Sequence, residues 1–333
     1  MTGLASAIRP SRPAGPPAFV TRHPAFAQVT GPAPRLERVI ATDAHEGPVY
    51  DAAEDALYFT TVPRPGRWPG APRVDIMRLA LDGDRFDLEP ERLTTVRADA
   101  NAANGMTADG RGGLIVCEQG SRRRPAAIGR VSCADGTAQT IVDRWLGLRL
   151  NSPNDVVVKR DGTIWFTDPS YGYLQGFRPA PHTGDHVYRH DPASGALTVA
   201  ADTLDKPNGL AFSPDEQTLY VADSGANQEL GSFYPDRPHH ILAFTVAGAR
   251  LVDERLVAVI APGCPDGLKV DAAGRIYSSS SSGVQVFSPA GVLLGEITLP
   301  GAVNFTFGGP RRDVLFITTD DAIWAAVLHT TGS

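Results

Sequence analysis

The sequence contains few cysteines, and their pattern excludes a disulfide scaffold. Among 333 residues only Cys117, Cys133 and Cys264 are cysteine. Their number is odd, they lie far apart, and their spacing is not that of a zinc site. We therefore expect three buried thiols that behave as small apolar side chains. Free thiols are typical of a reducing compartment, so the expected location is cytoplasmic.

Long apolar segments are also missing. No run of about 18 apolar residues occurs, so no membrane-spanning helix is predicted. The first 35 residues are rich in Pro, Ala and Arg and lack the continuous apolar segment of a secretory signal peptide. We expect residues 1–35 to form a partly irregular N-terminal extension. Residues 1 to about 20 are expected to run over the surface or to be disordered.

An excess of positive charge is absent as well. The chain has 31 Lys and Arg against 37 Asp and Glu, a net charge of −6, and no basic patch or stripe. Nucleic acid is therefore not an expected partner. A mildly acidic protein is also poorly suited to an anionic membrane surface. We expect a monomer or a small homo-oligomer that acts on a small molecule.

Glycine and proline are abundant, with 34 and 28 residues, and they punctuate a repeat. Each copy reads as a strand, a turn and a second strand, with alternating apolar and polar residues. The copies start at residues 46, 104, 154, 208, 266 and 304, so successive starts are 58, 50, 54, 58 and 38 residues apart. Six copies at this period predict an all-β fold, a six-bladed β-propeller over residues 36–330. Leu36–Ile40 precedes the first copy and is predicted to supply the closing strand of the last blade.

The first residue of each copy, here called the leading residue, always carries a side-chain oxygen. The six leading residues are Glu46, Asn104, Asn154, Asn208, Asp266 and Asn304. Innermost strands of a propeller line its central channel, so equivalent positions lie at one height around it. A ring of carboxylate and amide oxygens favours a hard divalent cation over a structural zinc ion. The alternative is turn chemistry, because Asn-Gly and Asp-Gly are also common turn formers.

Three other acidic residues of the repeat are not expected to belong to the ring of leading residues. Asp155 directly follows a leading residue, so strand alternation is expected to point it away from the channel. Asp168 and Asp223 end the second strands of their hairpins, and we interpret them as loop or turn anchors.

Seven stretches together resemble one known family. They are Glu46-Gly-Pro-Val, Asn104-Gly-Met-Thr, Val116-Cys-Glu-Gln-Gly-Ser-Arg-Arg, Leu150-Asn-Ser-Pro-Asn-Asp-Val-Val-Val-Lys, Trp165-Phe-Thr-Asp-Pro-Ser-Tyr-Gly, Lys206-Pro-Asn-Gly-Leu-Ala-Phe-Ser-Pro-Asp and Pro265-Asp-Gly-Leu-Lys-Val-Asp. In this order, over about residues 36–325, they resemble the gluconolactonase/regucalcin (SMP-30/gluconolactonase/LRE-like) family, and the bacterial gluconolactonase branch most of all. The resemblance implies a six-bladed propeller that holds one divalent metal ion at its channel mouth and hydrolyses sugar-type lactones.

Matched motif by motif, the family's metal ligands fall on Glu46, Asn154, Asn208 and Asp266. Ca²⁺ is the expected ion, with Zn²⁺, Mn²⁺ and Mg²⁺ as alternatives. Such an ion would act as a Lewis acid on the lactone carbonyl, with Asp266 as the general base. Asn104 falls beside the site as a substrate-binding residue, and the role of Asn304 is left open.

Three further positions are candidate substrate contacts. Gln119 stands where the family often has His, so a role of that imidazole is not expected here. Residues 62–72 form a Pro- and Arg-rich insert, which either contributes Arg67 to the substrate rim or is a solvated loop. Tyr171, in the long loop after the third hairpin, could stack on a sugar ring.

Two rival functions remain open from the sequence. A propeller with a bound Ca²⁺ could also polarise a phosphoryl oxygen, which would make the protein a phosphotriesterase or fluorophosphatase. Alternatively, the metal is structural and the propeller only binds a small molecule or a protein. The absence of a Gly-x-Ser-x-Gly elbow argues against a serine-hydrolase route.

Overall fold

The computed structural model describes residues 19–66, 70–229 and 231–333. In these residues six antiparallel sheets of four or five strands surround a central channel, and the first strand of each sheet contacts the first strands of both neighbours. The protein is therefore a six-bladed β-propeller, as the repeat predicts.

Each blade contains four chain segments that run antiparallel from the channel to the periphery. From the channel outward, blade 1 has Ala44–Asp51, Ala56–Thr61, Ile76–Ala80 and Leu93–Arg97. Blade 2 has Ala103–Ala108, Gly113–Glu118, Ala127–Ser132 and Ala138–Val142. Blade 3 has Val156–Val158, Ile164–Asp168, His186–His190 and Leu197–Ala201. Blade 4 has Pro207–Phe212, Thr218–Asp223, His240–Ala247 and Arg250–Val259.

The last two blades also use N-terminal residues. Blade 5 has Leu268–Val270, Ile276–Ser280, Gly283–Phe287 and Leu293–Thr298, and Phe19–Thr21 pairs with the last of these as a fifth strand. Blade 6 has Phe305–Gly308, Val314–Thr318, Ala322–Val327 and, outermost, Arg35–Ala41. The predicted closing strand is thus confirmed, and it ties the N-terminal part of the chain to the C-terminal blade.

The N-terminal extension is more regular than predicted where the structure describes it. After the strand Phe19–Thr21, a 3-10 turn over Pro24–Phe26 and a helical turn over Ala27–Thr30 pack onto blade 5. Phe26 and Val29 are fully buried there. The expectation of surface-running residues falls mainly on residues 1–18, which lie outside the described residues.

Second strands are buried at nearly every position because neighbouring blades cover both of their faces. Ala56–Thr61 and Val314–Thr318 are buried along their whole length, whereas the outer strand Leu93–Arg97 is half exposed. The buried side chains form six clusters, one at each interface between adjacent blades. This packing explains why hairpins with a continuous apolar strand recur at the blade period.

Short elements decorate the loops between strands. Arg64–Pro65 pairs with Pro72–Arg73, Arg144–Trp145 pairs with Leu148–Arg149, Pro90–Arg92 is a 3-10 turn, and Tyr171–Leu174 is a single α-helical turn. No helix in the described parts of the chain is long and apolar enough to cross a membrane.

The cysteines only partly follow their prediction. All three are free thiols, and Cys117 is buried on the second strand of blade 2. Cys133 and Cys264 are only partly buried, because each lies in a loop or turn rather than in a strand.

Candidate functional site

The six leading residues all lie within two residues of the beginning of the first strand of their blade, either inside it or just before it. Five of them are buried, with exposures between 2% for Asn304 and 9% for Asn104. Asp266 is the only one that is partly exposed. The ring of leading residues therefore lies at one end of the channel, and Asp266 is its solvent-accessible member.

Glu46 is the buried acid of this ring. Its Oε2 accepts hydrogen bonds from Asn304 Nδ2 at 2.7 Å and from its neighbour Gly47 N at 3.1 Å. Burial, followed by repulsion from Asp266 and Asp155, raises the pKa of Glu46 to about 8. The carboxylates of Glu46 and Asp266 thus repel each other at the channel mouth. Lys269 brings one positive charge close to the ring, since its Nζ donates to Asn304 Oδ1 at 3.5 Å.

Asp266 is held by blade 5 through its backbone. Its N–H donates to Ser279 Oγ at 3.1 Å, and its carbonyl accepts Gly209 N of blade 4 at 3.2 Å. The side chain is therefore placed by two blades while its carboxylate faces the channel mouth, where it repels Glu46.

Asn104 carries an unpartnered oxygen. Its Oδ1 is buried, yet no hydrogen-bond donor among the described residues contacts it. A buried polar atom without a partner costs free energy unless a ligand completes it. The atom belongs to the same ring as Glu46 and Asp266. The mouth therefore contains an amide oxygen that could accept a further contact, and two carboxylates that repel each other.

These features fit a divalent cation. The described residues contain no cluster of three or more His, Cys, Asp or Glu side chains that could hold a metal ion. A cation at the channel mouth would therefore need amide oxygens beside the two carboxylates. The ring offers this all-oxygen donor set, which suits Ca²⁺ better than ions that prefer nitrogen or sulfur.

The glycines after the leading residues do not form turns. Asn104-Gly105 and Asn208-Gly209 lie inside strands. A Cβ on Gly209 would lie 2.1 Å from the carbonyl oxygen of Asp266 in the next blade, and one on Gly105 would lie 2.5 Å from the carbonyl oxygen of Asn154. Glycine is needed because adjacent inner strands approach closely. The turn interpretation of these copies is therefore wrong.

Asp155 lies in the channel, contrary to the prediction that it points away. Its carboxylate interacts electrostatically with Glu46 of blade 1 and Lys269 of blade 5, two residues on other sides of the channel. The first strand of blade 3 begins only at Val156, so strand alternation does not apply to Asp155. Burial raises its pKa, which Lys269 partly opposes.

Asp168 and Asp223 anchor loops, as predicted. Asp168 accepts the backbone N–H groups of Asn151 and Ser152, both at 2.8 Å. Asp223 accepts those of Asp205 and Lys206, both at 2.9 Å. Each carboxylate thereby fixes the segment that ends, two or three residues later, in a leading residue.

The candidate substrate residues occupy different positions around the mouth. Tyr171 is 6% exposed, its hydroxyl donates to Ser224 O at 3.5 Å, and burial, together with Asp266, raises its pKa well above the usual range. Gln119 is half-buried, and its N–H donates to Ala102 O, two residues before Asn104. Tyr171 therefore lies near Asp266, and Gln119 lies beside the start of blade 2.

The insert is only partly described. Arg67 lies outside the described residues. Its neighbour Arg64 is bound at the base of the insert, where it donates to Asp75 Oδ2 at 2.8 Å and to Thr61 Oγ1 at 3.3 Å.

Arg178 is a residue of the mouth that the sequence reasoning missed. It is 3% exposed, and its guanidinium donates to the carbonyl oxygens of Leu150, Asn151, Ser121 and Arg124 at 2.8–3.1 Å. It thus joins the loops of blades 2 and 3. Because its partners are backbone carbonyls, no local sequence pattern predicts this role.

Comparison with known proteins agrees with this geometry. The sequence model of the SMP-30/Gluconolactonase/LRE-like region matches residues 44–321. A lactonohydrolase from Aspergillus oryzae is 31% identical over 86% of this chain and 69% of its own length. A gluconolactonase from Zymomonas mobilis is 30% identical over 84% of this chain and 78% of its own length.

A solved structure extends the likeness to three dimensions. The structure of a gluconolactonase from Xanthomonas campestris is 36% identical, has a TM-score of 0.75, and covers 96% of this chain and 99% of its own. The motifs, the propeller and the oxygen-rich mouth thus occur together along nearly the whole chain. The protein therefore belongs to the SMP-30/Gluconolactonase/LRE-like family.

Proposed function

We propose that this protein hydrolyses sugar-type lactones at the mouth of its channel with the help of one bound divalent cation, Ca²⁺ by preference. Its relatives identify it as a hydrolase that acts on lactone ester bonds. The observation that carries the metal-dependent form of the proposal is the pair of carboxylates, Glu46 and Asp266, in a ring completed by asparagine oxygens.

Four side chains would hold the cation: Glu46, Asn154, Asn208 and Asp266. Two carboxylates balance a charge of 2+, and two amides add neutral oxygens. When bound, the cation supplies a Lewis acid for the lactone carbonyl. A bound cation would also relieve the repulsion between Glu46 and Asp266, and the proton that Glu46 retains near neutral pH would leave.

Asp266 is proposed as the general base. It is the leading residue with access to solvent, and its backbone is fixed from blades 4 and 5. In this role its carboxylate accepts a proton from the attacking water and returns it to the alkoxide that leaves the ring ester. Glu46, which is buried and hydrogen-bonded to Asn304, would act as a ligand rather than as a base.

Polar groups around the mouth support a hydroxylated substrate. Asn104 offers an amide oxygen that no donor among the described residues contacts, Gln119 is half-buried beside the start of blade 2, and Tyr171 lies near Asp266. We assign these three residues to substrate binding, with Tyr171 beside Asp266. Arg67 remains a hypothesis for the same role.

The test combines metal removal with an Asp266→Asn variant. Chelator-treated protein is assayed on a panel of aldonolactones by proton release while Ca²⁺, Mg²⁺, Mn²⁺ or Zn²⁺ is added back. We expect activity only with added metal. At metal concentrations that saturate the variant, as measured by calorimetry, kcat should fall by about 10²–10⁴ because the base is lost.

An Asp215→Asn variant serves as the control, since Asp215 lies in a solvent-exposed hairpin turn of blade 4. It should keep wild-type turnover. Full activity after complete metal removal would contradict the metal requirement. Tight metal binding without turnover of any lactone would contradict the substrate class.

A further inference from the structure

The six boundaries between blades share one construction at the height of the leading residues. At every boundary one hydrogen bond crosses from a blade to a backbone carbonyl at the ring of the next blade. At three boundaries the donor is the backbone N–H of the glycine after a leading residue: Gly105 N to Asn154 O at 2.8 Å, Gly209 N to Asp266 O at 3.2 Å, and Gly267 N to Val303 O at 3.2 Å.

At the other three boundaries the donor is a threonine hydroxyl. Thr60 Oγ1 donates to Asn104 O at 3.4 Å, Thr167 Oγ1 to Asn208 O at 2.9 Å, and Thr318 Oγ1 to His45 O at 2.6 Å. All three threonines are fully buried. They occupy equivalent positions on second strands, where blades 2 and 4 have Cys117 and Ala222 and rely on glycine N–H donors instead.

Thr167 is the threonine with the most contacts to candidate ligand residues. Its carbonyl accepts Asn154 N at 2.9 Å, its hydroxyl donates to Asn208 O, and the same hydroxyl accepts Asp155 N at 3.1 Å. The carbonyl of Thr167 therefore holds Asn154, and its hydroxyl links Asp155, the residue next to Asn154, to the leading residue of blade 4.

We propose that these threonine hydroxyls set the geometry of the ring, and that Thr167 is a positioning residue that determines metal affinity through Asn154 and Asn208. The inference rests on the proposed function, since it concerns the same cation. Groups that orient metal ligands without touching the ion commonly change its affinity by about 10- to 100-fold when removed.

The test uses the full chain and three variants. Thr167→Val keeps the branched shape and removes the hydroxyl, whereas Thr167→Ser keeps the hydroxyl. Thr163→Val is the matched control, because Thr163 is 4% exposed and lies at the opposite end of the same hairpin. Its hydroxyl donates to Asp161 and accepts Trp165 Nε1, away from the ring.

The dissociation constant for Ca²⁺ is measured by calorimetry after chelator treatment, and melting temperatures are recorded without metal. We expect Thr167→Val to raise the dissociation constant by about 10- to 100-fold. Thr167→Ser should keep the wild-type dissociation constant. Thr163→Val should lower the melting temperature without changing the dissociation constant.

Three outcomes decide the inference. The pattern just described supports it. Wild-type affinity in Thr167→Val, or an equal loss in Thr163→Val, overturns it and leaves the proposed function intact. A wild-type protein that binds none of Ca²⁺, Mg²⁺, Mn²⁺ and Zn²⁺ overturns both the inference and the metal-dependent function.

Discussion

Glu46 and Asp266 are two carboxylates of one ring that differ in their exposure to solvent. Glu46 is 4% exposed, and burial destabilises its ionised form although the hydrogen bond from Asn304 partly opposes this effect. Asp266 is partly exposed, and its backbone is held by hydrogen bonds to Ser279 of blade 5 and Gly209 of blade 4. Burial therefore suits Glu46 to permanent pairing with a cation, and exposure suits Asp266 to proton exchange with water.

Glu46→Gln is expected to remove stabilisation by Ca²⁺. Glutamine keeps the side-chain length and an oxygen for Asn304, but it lacks the charge. At a Ca²⁺ concentration of about 100 times the dissociation constant, the wild-type protein should gain about 2.7 kcal/mol of unfolding free energy. A variant that binds about 100-fold more weakly should gain only about 0.4 kcal/mol.

Urea unfolding with and without Ca²⁺ measures both values. Glu296→Gln is the control, because Glu296 is also buried but lies on the fourth strand of blade 5. It should keep the full gain. An undiminished gain in Glu46→Gln would show that Glu46 is not a ligand.

At the scale of elements, strand ends and loops cooperate to place the leading residues. The last residue of a second strand, Asp168 or Asp223, accepts two successive backbone N–H groups from the segment that enters the first strand of the same blade. Arg178 holds the carbonyls of neighbouring loops. Loops at the mouth are thus fixed by side chains that point inward, which gives them the order that a binding site requires.

Asp168 should make stability depend on pH. Burial, partly opposed by the N–H groups of Asn151 and Ser152, raises its pKa to about 7. The folded state therefore binds the proton more tightly than the unfolded state, whose pKa is near 3.8. The contribution to stability is present at low pH and is lost as pH rises from about 4 to 7, by at most about 1.4 kcal/mol per pH unit.

Urea unfolding of wild-type protein and Asp168→Asn between pH 4.5 and 7.5 isolates this contribution. The free energy of the wild type relative to the variant should fall as pH rises. Asp161→Asn is the control, since hydrogen bonds from Thr163, against a burial effect, lower the pKa of Asp161. Its titration lies below this pH range, so the difference between this variant and the wild type should stay constant. Parallel curves for wild type and Asp168→Asn would refute the assignment.

The whole molecule is a ring of six interfaces, each filled by one hydrophobic cluster. The ring is closed by Arg35–Ala41, which pairs with Ala322–Val327. The preceding segment strengthens this closure, because Phe26 packs into the cluster between blades 5 and 6. The aromatic side chain of Phe26 lies against Gly295, and a Cβ at position 295 would come within 2.4 Å of that side chain.

Phe26→Ala is expected to destabilise the propeller by about 3–5 kcal/mol, because it leaves a cavity in a fully buried cluster. Chemical denaturation measures the loss. Phe233→Ala is the control, since Phe233 is 47% exposed, and it should change stability by less than about 0.5 kcal/mol. Equal, small effects of both variants would mean that residues before the closing strand are dispensable for the fold.

The sequence by itself determined the number of blades, the position of the ring and the closing strand. These follow from local rules: strand alternation, turn residues and a repeat whose leading residue always carries an oxygen. Alternation applies only inside a strand, however. Asp155 stands one residue before its strand begins, and for that reason it was misplaced.

Only the tertiary structure decided what lies between blades. The glycines after leading residues exist because the carbonyls of the next blade come close, and the hydroxyl of Thr167 finds its acceptor 41 residues away. Arg178 likewise reaches carbonyls up to 57 residues distant. Such contacts join parts of the chain that are far apart in sequence, so they arise only when the propeller closes and brings neighbouring inner strands together.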